Sequence, residues 1–413
     1  MVSTEAAVVI ETSVPSPFVA VAAEVEAIES ILTNLNLNLN LNLQPLPILD
    51  FDKGDPTMYE AYWKSVGQHF KITLPASILL SYFANPNSFC WYMLPKLEQE
   101  IKNLHNLVGN AVVEGRHIVV GNGSSQLIQA ALYAVAEQRR CYPQISDYVR
   151  SGLFKWGGNA HAYVDHDSQP YIEMVTSPNN PDGELRVPVV NKVNGMLVHD
   201  LAYYWPQYTA RPSRVLLITI LCSSPSPNAQ DTLDQGSVKD PDVAKRMVKI
   251  STIGVSKEAQ LRAIGVLEMI TTNSCPNNFS EFGQSVMAER WRKLREALQG
   301  IDVLQIRDFP PQHCNFKRDF LHCTPGYAWM KAQVGINLEE VMKEERVRVR
   351  GSKTFGCPSN YARLSMLGME NDFDLLLKRL PSLPHLYVLH LFQPNGAVVS
   401  VPDVIDKITL VDK

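Results

Sequence analysis

"RHIVVGNGSSQLIQAALYAVA", residues 116–136, sets an apolar run, a glycine-rich turn and an amphipathic segment end to end. The run through Val120 reads as a strand. Leu127, Ala131 and Val135 recur at helical spacing and define one apolar face. Strand, glycine loop and helix in that order are the building unit of an α/β sheet. Glycines between a strand and a helix let backbone N–H groups point at an anion, and the helix dipole adds to the attraction. Ser124 and Ser125 can supply hydroxyl donors while capping the helix. Taken alone, the stretch serves equally well as a plain turn with a serine cap.

The pattern extends outward. Leu97, Ile101, Leu104 and Val108 give one face of a helix predicted to run from Cys90 through "WYMLPKLEQEIKNLHNLVGNAV". Downstream, "PYIEMVTSPNNPDG" and "NGMLVHDLAYYW" each read as a strand ending in polar residues, the place where parallel sheets bind ligands. "VLLITIL", residues 215–221, looks like another buried strand. It collapses into Ser, Pro, Asn, Gln and Asp, and order resumes at "VKDPDVAKRM". A helix around "MAERWRKLREAL" carries Trp291, Leu294 and Leu298 as its stripe, and "YAWMKAQV" and "NYARLSML" read as strands of a smaller α+β domain.

The expected architecture is therefore α/β, a large domain with a mainly parallel sheet and a smaller α+β C-terminal domain. Residues 1–48 are expected to be a disordered, low-complexity tail, because "NLNLNLNLNLQPLPI" alternates like a strand but is built on Asn. Residues 49–105 form an N-terminal arm and the start of the small domain, 106–275 the large domain, and 276–380 the small C-terminal domain. Residues 381–413 have no assignable pattern.

Of the 413 residues, 45% are hydrophobic and 19% charged, as in ordinary globular proteins. A net charge of -4 gives no general attraction to nucleic acid or to an anionic membrane surface. No apolar run approaches the roughly 20 residues that span a bilayer. The first basic residue is Lys53, after an acidic opening with Glu5, Glu11, Glu24, Glu26 and Glu29. That start fits neither a secretory signal nor a mitochondrial presequence, so the expectation is a cytoplasmic protein. Seven cysteines are scattered without a CxxC pair, which points to buried thiols rather than a metal site or disulfide framework.

Three further stretches carry chemistry. "SPNNPDG", 177–183, is rich in turn formers and is either a simple loop or an amide aimed at a ligand from a strand end. "HDLAYYWPQY" puts Asp200 at the end of an apolar strand, where a carboxylate is costly unless paired, with Tyr203 just beyond. It can hold a protonated ring nitrogen or merely cap a helix beside a packing tyrosine. Arg363 stands inside the apolar strand "NYARLSML", where its fork of donors suits a carboxylate from the protein or from a substrate.

A phosphate loop, an amide, an Asp-x-x-Tyr and an Arg, in that order, resemble the fold-type-I pyridoxal-phosphate enzymes. The resemblance is to the plant tryptophan aminotransferase and alliinase family. It spans roughly residues 50–380 and rests on "GDPTMYEAYW", "LHNLVGNAVVEGRHIVVGNGSSQLIQAALYA", "YIEMVTSPNNPDGELR", "HDLAYYWPQYT" and "GVSKEAQLRA". It implies pyridoxal 5'-phosphate as cofactor, with Ser124 and Ser125 on its phosphate and Tyr82 reaching that phosphate from the other subunit of a homodimer. Asn180 and Tyr203 would bond the phenolic oxygen, Asp200 the pyridinium nitrogen, and Arg363 the substrate carboxylate. "GDPTMYE" and "CWYMLPKLEQEI" resemble the tryptophan–pyruvate aminotransferase branch. The implied reaction converts an amino acid and a 2-oxo acid, L-tryptophan and pyruvate, into indole-3-pyruvate, an auxin precursor, and alanine. An alliinase-type carbon–sulfur lyase and a non-catalytic homologue that binds an amino acid or a paralogue are the alternatives.

One part of the family pattern is missing. After "ITI" the family continues through a motif of the form SKxTGHAGSRxGWALVKD, whose Lys forms the Schiff base with the cofactor and whose Arg grips the phosphate. Here only "VKD" survives, and no lysine stands between Lys192 and Lys239. Lys239 belongs to "VKD" and Lys257 to the later "GVSK", so neither is the Schiff-base lysine. A strand whose Ala-Pro-Tyr/Phe-Tyr end packs over the cofactor is likewise replaced, by "EQRR" after "ALYAVA". Two such excisions suggest altered splicing or a mispredicted coding region. They lead to the expectation of weakened cofactor binding and impaired transamination.

Overall fold

The computed structural model describes residues 46–67, 73–81, 83–135, 139–141, 154–162, 171–190, 195–209, 218–221, 233–251, 254–271, 278–314 and 316–383. The Asn-Leu repeat up to residue 45 and the stretch from 384 onward lie outside them. The chain divides into a unit Met1–Pro47 and a unit Ile48–Lys413, and every element below belongs to the second.

A short strand, β1 (Leu49–Asp50), leads into helices α1 (Glu60–Val66) and α2 (Pro95–Val108). Helix α2 begins later than the apolar spacing predicts. Pro95 occupies its first turn, where a missing N–H costs nothing, and Leu94 before it is extended at ψ 130°. Gly109 ends the helix with φ 73°, the left-handed conformation a glycine adopts most readily, so the helix does not continue through Val112. The predicted face is correct: Leu97, Ile101, Leu104 and Val108 are all buried.

The strand–loop–helix unit is β2 (His117–Asn122) followed by α3 (Ser124–Ala134), with Leu127, Ala131 and Val135 in the core. The remaining strands of the large sheet are β3 (Arg139–Cys141), β4 (Phe154–Trp156), β5 (Tyr171–Thr176), β6 (Gly195–Asp200), β7 (Ile218–Leu221) and β8 (Leu233–Val238). They form one seven-stranded sheet in the order β2-β8-β7-β6-β5-β3-β4. All pairings are parallel except those of β8, which runs antiparallel to both β2 and β7. Two reversals restore direction, so β2 points the same way as β5, β6 and β7, and the C-terminal ends of these strands share one edge of the sheet.

Both stretches expected to lack part of the family pattern hold a strand. Arg139–Cys141 fills the position between β4 and β5, and Leu233–Val238 that between β2 and β7. Order thus returns before Val238, where the sequence pattern placed it. Backbone pairing explains this: without β8, the facing N–H and C=O groups of β2 and β7 would lack partners, a cost that outweighs the poor strand propensity of "LDQGSV". The polar Gln235 is accommodated in the core because its Nε2 lies 2.6 Å from His105 Nε2. His105 Nδ1 in turn contacts Asn110 Oδ1 at 2.7 Å.

Helices α4 (Pro241–Ile250), α5 (Lys257–Thr271) and α6 (Phe279–Ala297) follow. Asp240 caps α4 by accepting from the Asp242 and Val243 N–H groups. In α6, Trp291 and Leu294 are buried as predicted, while Leu298 is the half-buried cap. The later elements are β9 (Leu304–Ile306), the hairpin β10 (Gln312–Cys314) and β11 (Asp319–Leu321), β12 (Tyr327–Ala332) and α7 (Leu338–Glu344). After them come β13 (Val347–Arg348), β14 (Arg350–Gly351), β15 (Tyr361–Ser365) and α8 (Glu370–Arg379). A four-stranded antiparallel sheet, β14-β15-β12-β9, carries Arg363 on an inner strand, and β1 pairs in parallel with β13. Among the described residues no helix is long and apolar enough to cross a membrane.

Candidate active site

Strands β5 and β6 are in register so that Thr176 faces Asp200, and the Ser177 N–H donates to the Asp200 carbonyl at 3.0 Å. The two chains then diverge into the loops that carry the functional side chains. In the first, Asn179 N–H donates to Glu184 O (2.7 Å), Gly183 N–H to Asn179 O (2.8 Å), and Asn179 Nδ2 to Asp182 Oδ1 (2.8 Å). Asn179 is thereby consumed in holding the turn. Asn180 is left to present its amide, and its Oδ1 accepts from Arg363 Nη1 at 2.9 Å.

In the second loop, a turn closed by Tyr204 N–H to Leu201 O (2.9 Å) brings Tyr203 to the same place. Its hydroxyl lies 2.5 Å from that of Tyr327, at the start of β12. Burial and the adjacent Tyr327 push the Tyr203 pKa well above its ordinary value. Asp200 behaves differently. Its Oδ1 accepts one bond, from Ala202 N–H at 3.2 Å, and burial raises its pKa against that bond. Among the described residues no Lys, Arg or His nitrogen lies within 4.0 Å of its carboxylate.

Arg363 is 2% exposed. Besides Asn180, it donates through Nη2 to the Asp52 carbonyl at 2.5 Å, and its guanidinium lies 3.9 Å from the centroid of the Tyr327 ring. Among the described residues its buried Nε has no hydrogen-bond partner, and no carboxylate lies within ion-pair distance of it. Burial lowers its pKa, the nearby Tyr327 opposing. The Asp52 carboxylate instead accepts from Arg350, at 2.5 Å from Nε and 3.3 Å from Nη2.

Asn180 thus contacts Arg363 directly, Tyr203 is linked to Arg363 through Tyr327, and Asp200 lies on the same sheet edge. Ser124 and Ser125 are the first residues of α3, after Gly123 at φ 89°, on that edge as well. Tyr82 lies outside the described residues. Lys239 is exposed beyond the end of β8, and Lys257 Nζ donates to the carbonyls of Ile78 (2.7 Å) and Phe83 (3.1 Å). Sequence reasoning missed Tyr327, Asp52, Gly54 and Arg350. "GDPTMYE" was informative as a match, but nothing in it shows that the carbonyl of Asp52, just ahead of it, would meet an arginine far along the chain. Gly54 lies so close that a Cβ there would collide with the Tyr327 hydroxyl.

A protonated ring nitrogen fits Asp200, a half-buried carboxylate with a raised pKa and no cationic partner among the described residues. Tyr203 and Asn180 offer donors for a ring oxygen, and the N-terminus of α3 offers N–H groups for a phosphate. The orphaned Arg363 Nε fits a carboxylate.

A family model described as "Allinase" matches residues 49–384. The chain belongs to the alliinase family. Tryptophan aminotransferase-related protein 2 of Arabidopsis thaliana is 39% identical over 360 residues, covering 81% of this chain and 81% of that protein. Alliin lyase 1 of Allium sativum is 29% identical over 362 residues, covering 79% and 73%. Among solved structures, an aminotransferase from Staphylococcus aureus superposes with a TM-score of 0.60 at 18% identity, over 85% of this chain and 99% of its own. The aspartate aminotransferase of Thermus thermophilus with maleate gives 0.58 at 16%, over 89% and 97%. These likenesses establish the expected fold: the alliinase-family chain is a mixed α/β protein of the fold-type-I class.

Proposed function

We propose that this chain is a pyridoxal 5'-phosphate protein of the tryptophan aminotransferase type whose amino-acid site is intact and whose transamination is impaired. The observation that carries the first half is Arg363. A guanidinium buried among neutral acceptors, with Nε unsatisfied, provides for an acidic group from outside the chain. An α-carboxylate of an amino acid or 2-oxo acid, such as L-tryptophan or pyruvate, meets that need.

When bound, the cofactor supplies an electron sink for bond breaking at the amino-acid Cα. The chain's own groups prepare for this. Asp200 would hold a proton on the ring nitrogen, Tyr203 and Asn180 would donate to the ring oxygen, and Arg363 would fix the carboxylate so that one Cα bond is presented. Moving a proton at Cα needs a base, and the lysine expected to provide it is absent from residues 193–238. Such assistance is worth roughly 10²–10⁴ in rate. Lys257 is engaged with the Ile78 and Phe83 carbonyls, and Lys239 is exposed, which supports excluding both. The reading includes a homodimer in which Tyr82 serves the neighbouring subunit.

The test is to incubate the full chain with pyridoxal 5'-phosphate, L-tryptophan and pyruvate. The expected result is weak cofactor uptake without indole-3-pyruvate or alanine. A visible absorbance band bleached by borohydride, with the label mapped to a lysine at the site, would overturn the impairment. Transcript sequence across residues 135–245 tests whether the missing segments are lost by splicing.

A further inference from the structure

Tyr327 connects the two halves of the site. Its ring is 5% exposed, its hydroxyl is 2.5 Å from that of Tyr203, and the Arg363 guanidinium lies 3.9 Å from its centroid. Two phenols in contact share one hydrogen bond, in which one donates and the other accepts. Tyr203 has a single proton. Were that proton spent on Tyr327, Tyr203 would present only lone pairs to a ligand oxygen, and two acceptors would face each other. With Tyr327 as donor, the Tyr203 proton is released toward the ligand.

The ring has a separate task. A guanidinium lying against an aromatic face is held in plane by the ring's quadrupole. Arg363 has neutral acceptors on two nitrogens and no carboxylate among the described residues, so this face fixes the orientation of its fork. Phe355 adds a second ring at 5.6 Å.

The geometry points to Tyr327 as a positioning residue that donates to Tyr203, directing the Tyr203 proton to a ligand oxygen, while its ring seats Arg363 for a carboxylate. This rests on the reading of the site as a pyridoxal-phosphate pocket and assigns within it a residue that acts through two others.

Pyridoxamine 5'-phosphate is the probe for the first task, because it keeps the ring oxygen and phosphate but has no aldehyde to react with surface lysines. Indole-3-propionate, a carboxylate without an amine, probes the second. Both are titrated into the full chain by calorimetry. Tyr327→Phe keeps the ring, so it weakens pyridoxamine 5'-phosphate by about five- to tenfold and leaves indole-3-propionate affinity unchanged. Tyr203→Phe weakens the same ligand, and the double variant is no weaker than Tyr203→Phe alone, because the Tyr327 effect passes through Tyr203. Tyr327→Leu weakens indole-3-propionate as well. Equal pyridoxamine 5'-phosphate affinity in wild type and Tyr327→Phe, or additive losses in the double variant, overturns the inference alone. A wild-type chain that takes up no pyridoxamine 5'-phosphate overturns the pocket reading, and the inference with it.

Discussion

Arg350 and Arg363 stand directly opposite each other on neighbouring strands, and Asp52 serves both, one through its carboxylate and the other through its carbonyl. Like charges at such a pair destabilise a sheet. Neutralising Arg350 while offering Arg363 only a carbonyl leaves one of the two guanidiniums available to an acidic ligand.

Asp52→Asn removes that neutralisation. The expected loss is about 1 kcal/mol, modest because the ion pair is partly exposed. Arg350 holds the Asp52 pKa below the ordinary carboxylate value. A depressed folded pKa means the stabilisation is complete above the unfolded value, about 4, and disappears as pH falls through the folded one. Urea unfolding of both proteins should show a gap at neutral pH that closes in acid. A gap that persists in acid would show that Asp52 acts through packing.

Gly54→Ala tests the close approach of the N-terminal segment. The new methyl would collide with the Tyr327 hydroxyl and stand 3.1 Å from that of Tyr203. The segment must move outward, drawing the Asp52 carbonyl off Arg363. Overpacking of this kind costs typically 1–3 kcal/mol. Thermal unfolding should show that loss, and indole-3-propionate affinity should fall with it. Wild-type values for both would show that the segment shifts freely.

Much of this site was readable in the sequence because it depends on local order. Glycines followed by Ser124 and Ser125, the turn formers around Asn180, and Asp200 at a strand end are all short-range patterns. Arg363 was legible as an anomaly, a charge inside an apolar run. Tyr327 gave no such signal, since a tyrosine opening a strand is ordinary, and its role arises only from β12 lying beside β15. The start of α2 was misplaced because apolar spacing does not register what Pro95 does to Leu94. Strand β8 escaped notice for a different reason. Pairing with two neighbours, rather than the propensity of its own residues, makes "LDQGSV" extended.

Arg290 is the structural counterpart of Arg363. It is 1% exposed and fully engaged, donating through Nη1 to the carbonyls of Met366 (2.8 Å) and Gly368 (2.7 Å), and through Nη2 to Glu370 Oε2 at 2.8 Å. Its guanidinium also lies 5.0 Å from the centroid of the Phe373 ring. These contacts tie α6 to the chain that leaves β15, immediately beyond Arg363. Arg290→Ala orphans two carbonyls and opens a cavity, so a loss on the order of 3–5 kcal/mol is expected by chemical denaturation. Glu370→Gln, which removes only the partly exposed charge, should cost about 1 kcal/mol or less. Equal losses from the two would place the anchor in the ion pair rather than in the carbonyls.

Acid should destabilise the fold through two buried histidines before most carboxylates titrate. His199, on β6 beside Asp200, is 6% exposed, and burial pushes its pKa down to about 4. His105 is lowered too, by burial, with its bonds to Asn110 and Gln235 opposing. A histidine whose folded pKa lies below the unfolded value, about 6.5, binds fewer protons folded than unfolded between the two, so stability falls as pH drops through that window. For His199 the full effect across that window is on the order of 3 kcal/mol. Urea midpoints measured from about pH 7.5 down to about 4.5 should decline, and His199→Gln, which cannot titrate, should flatten the decline while losing some stability at neutral pH. A variant with the wild-type slope would mean that the imidazole is hydrated and that its burial contributes nothing to the acid response.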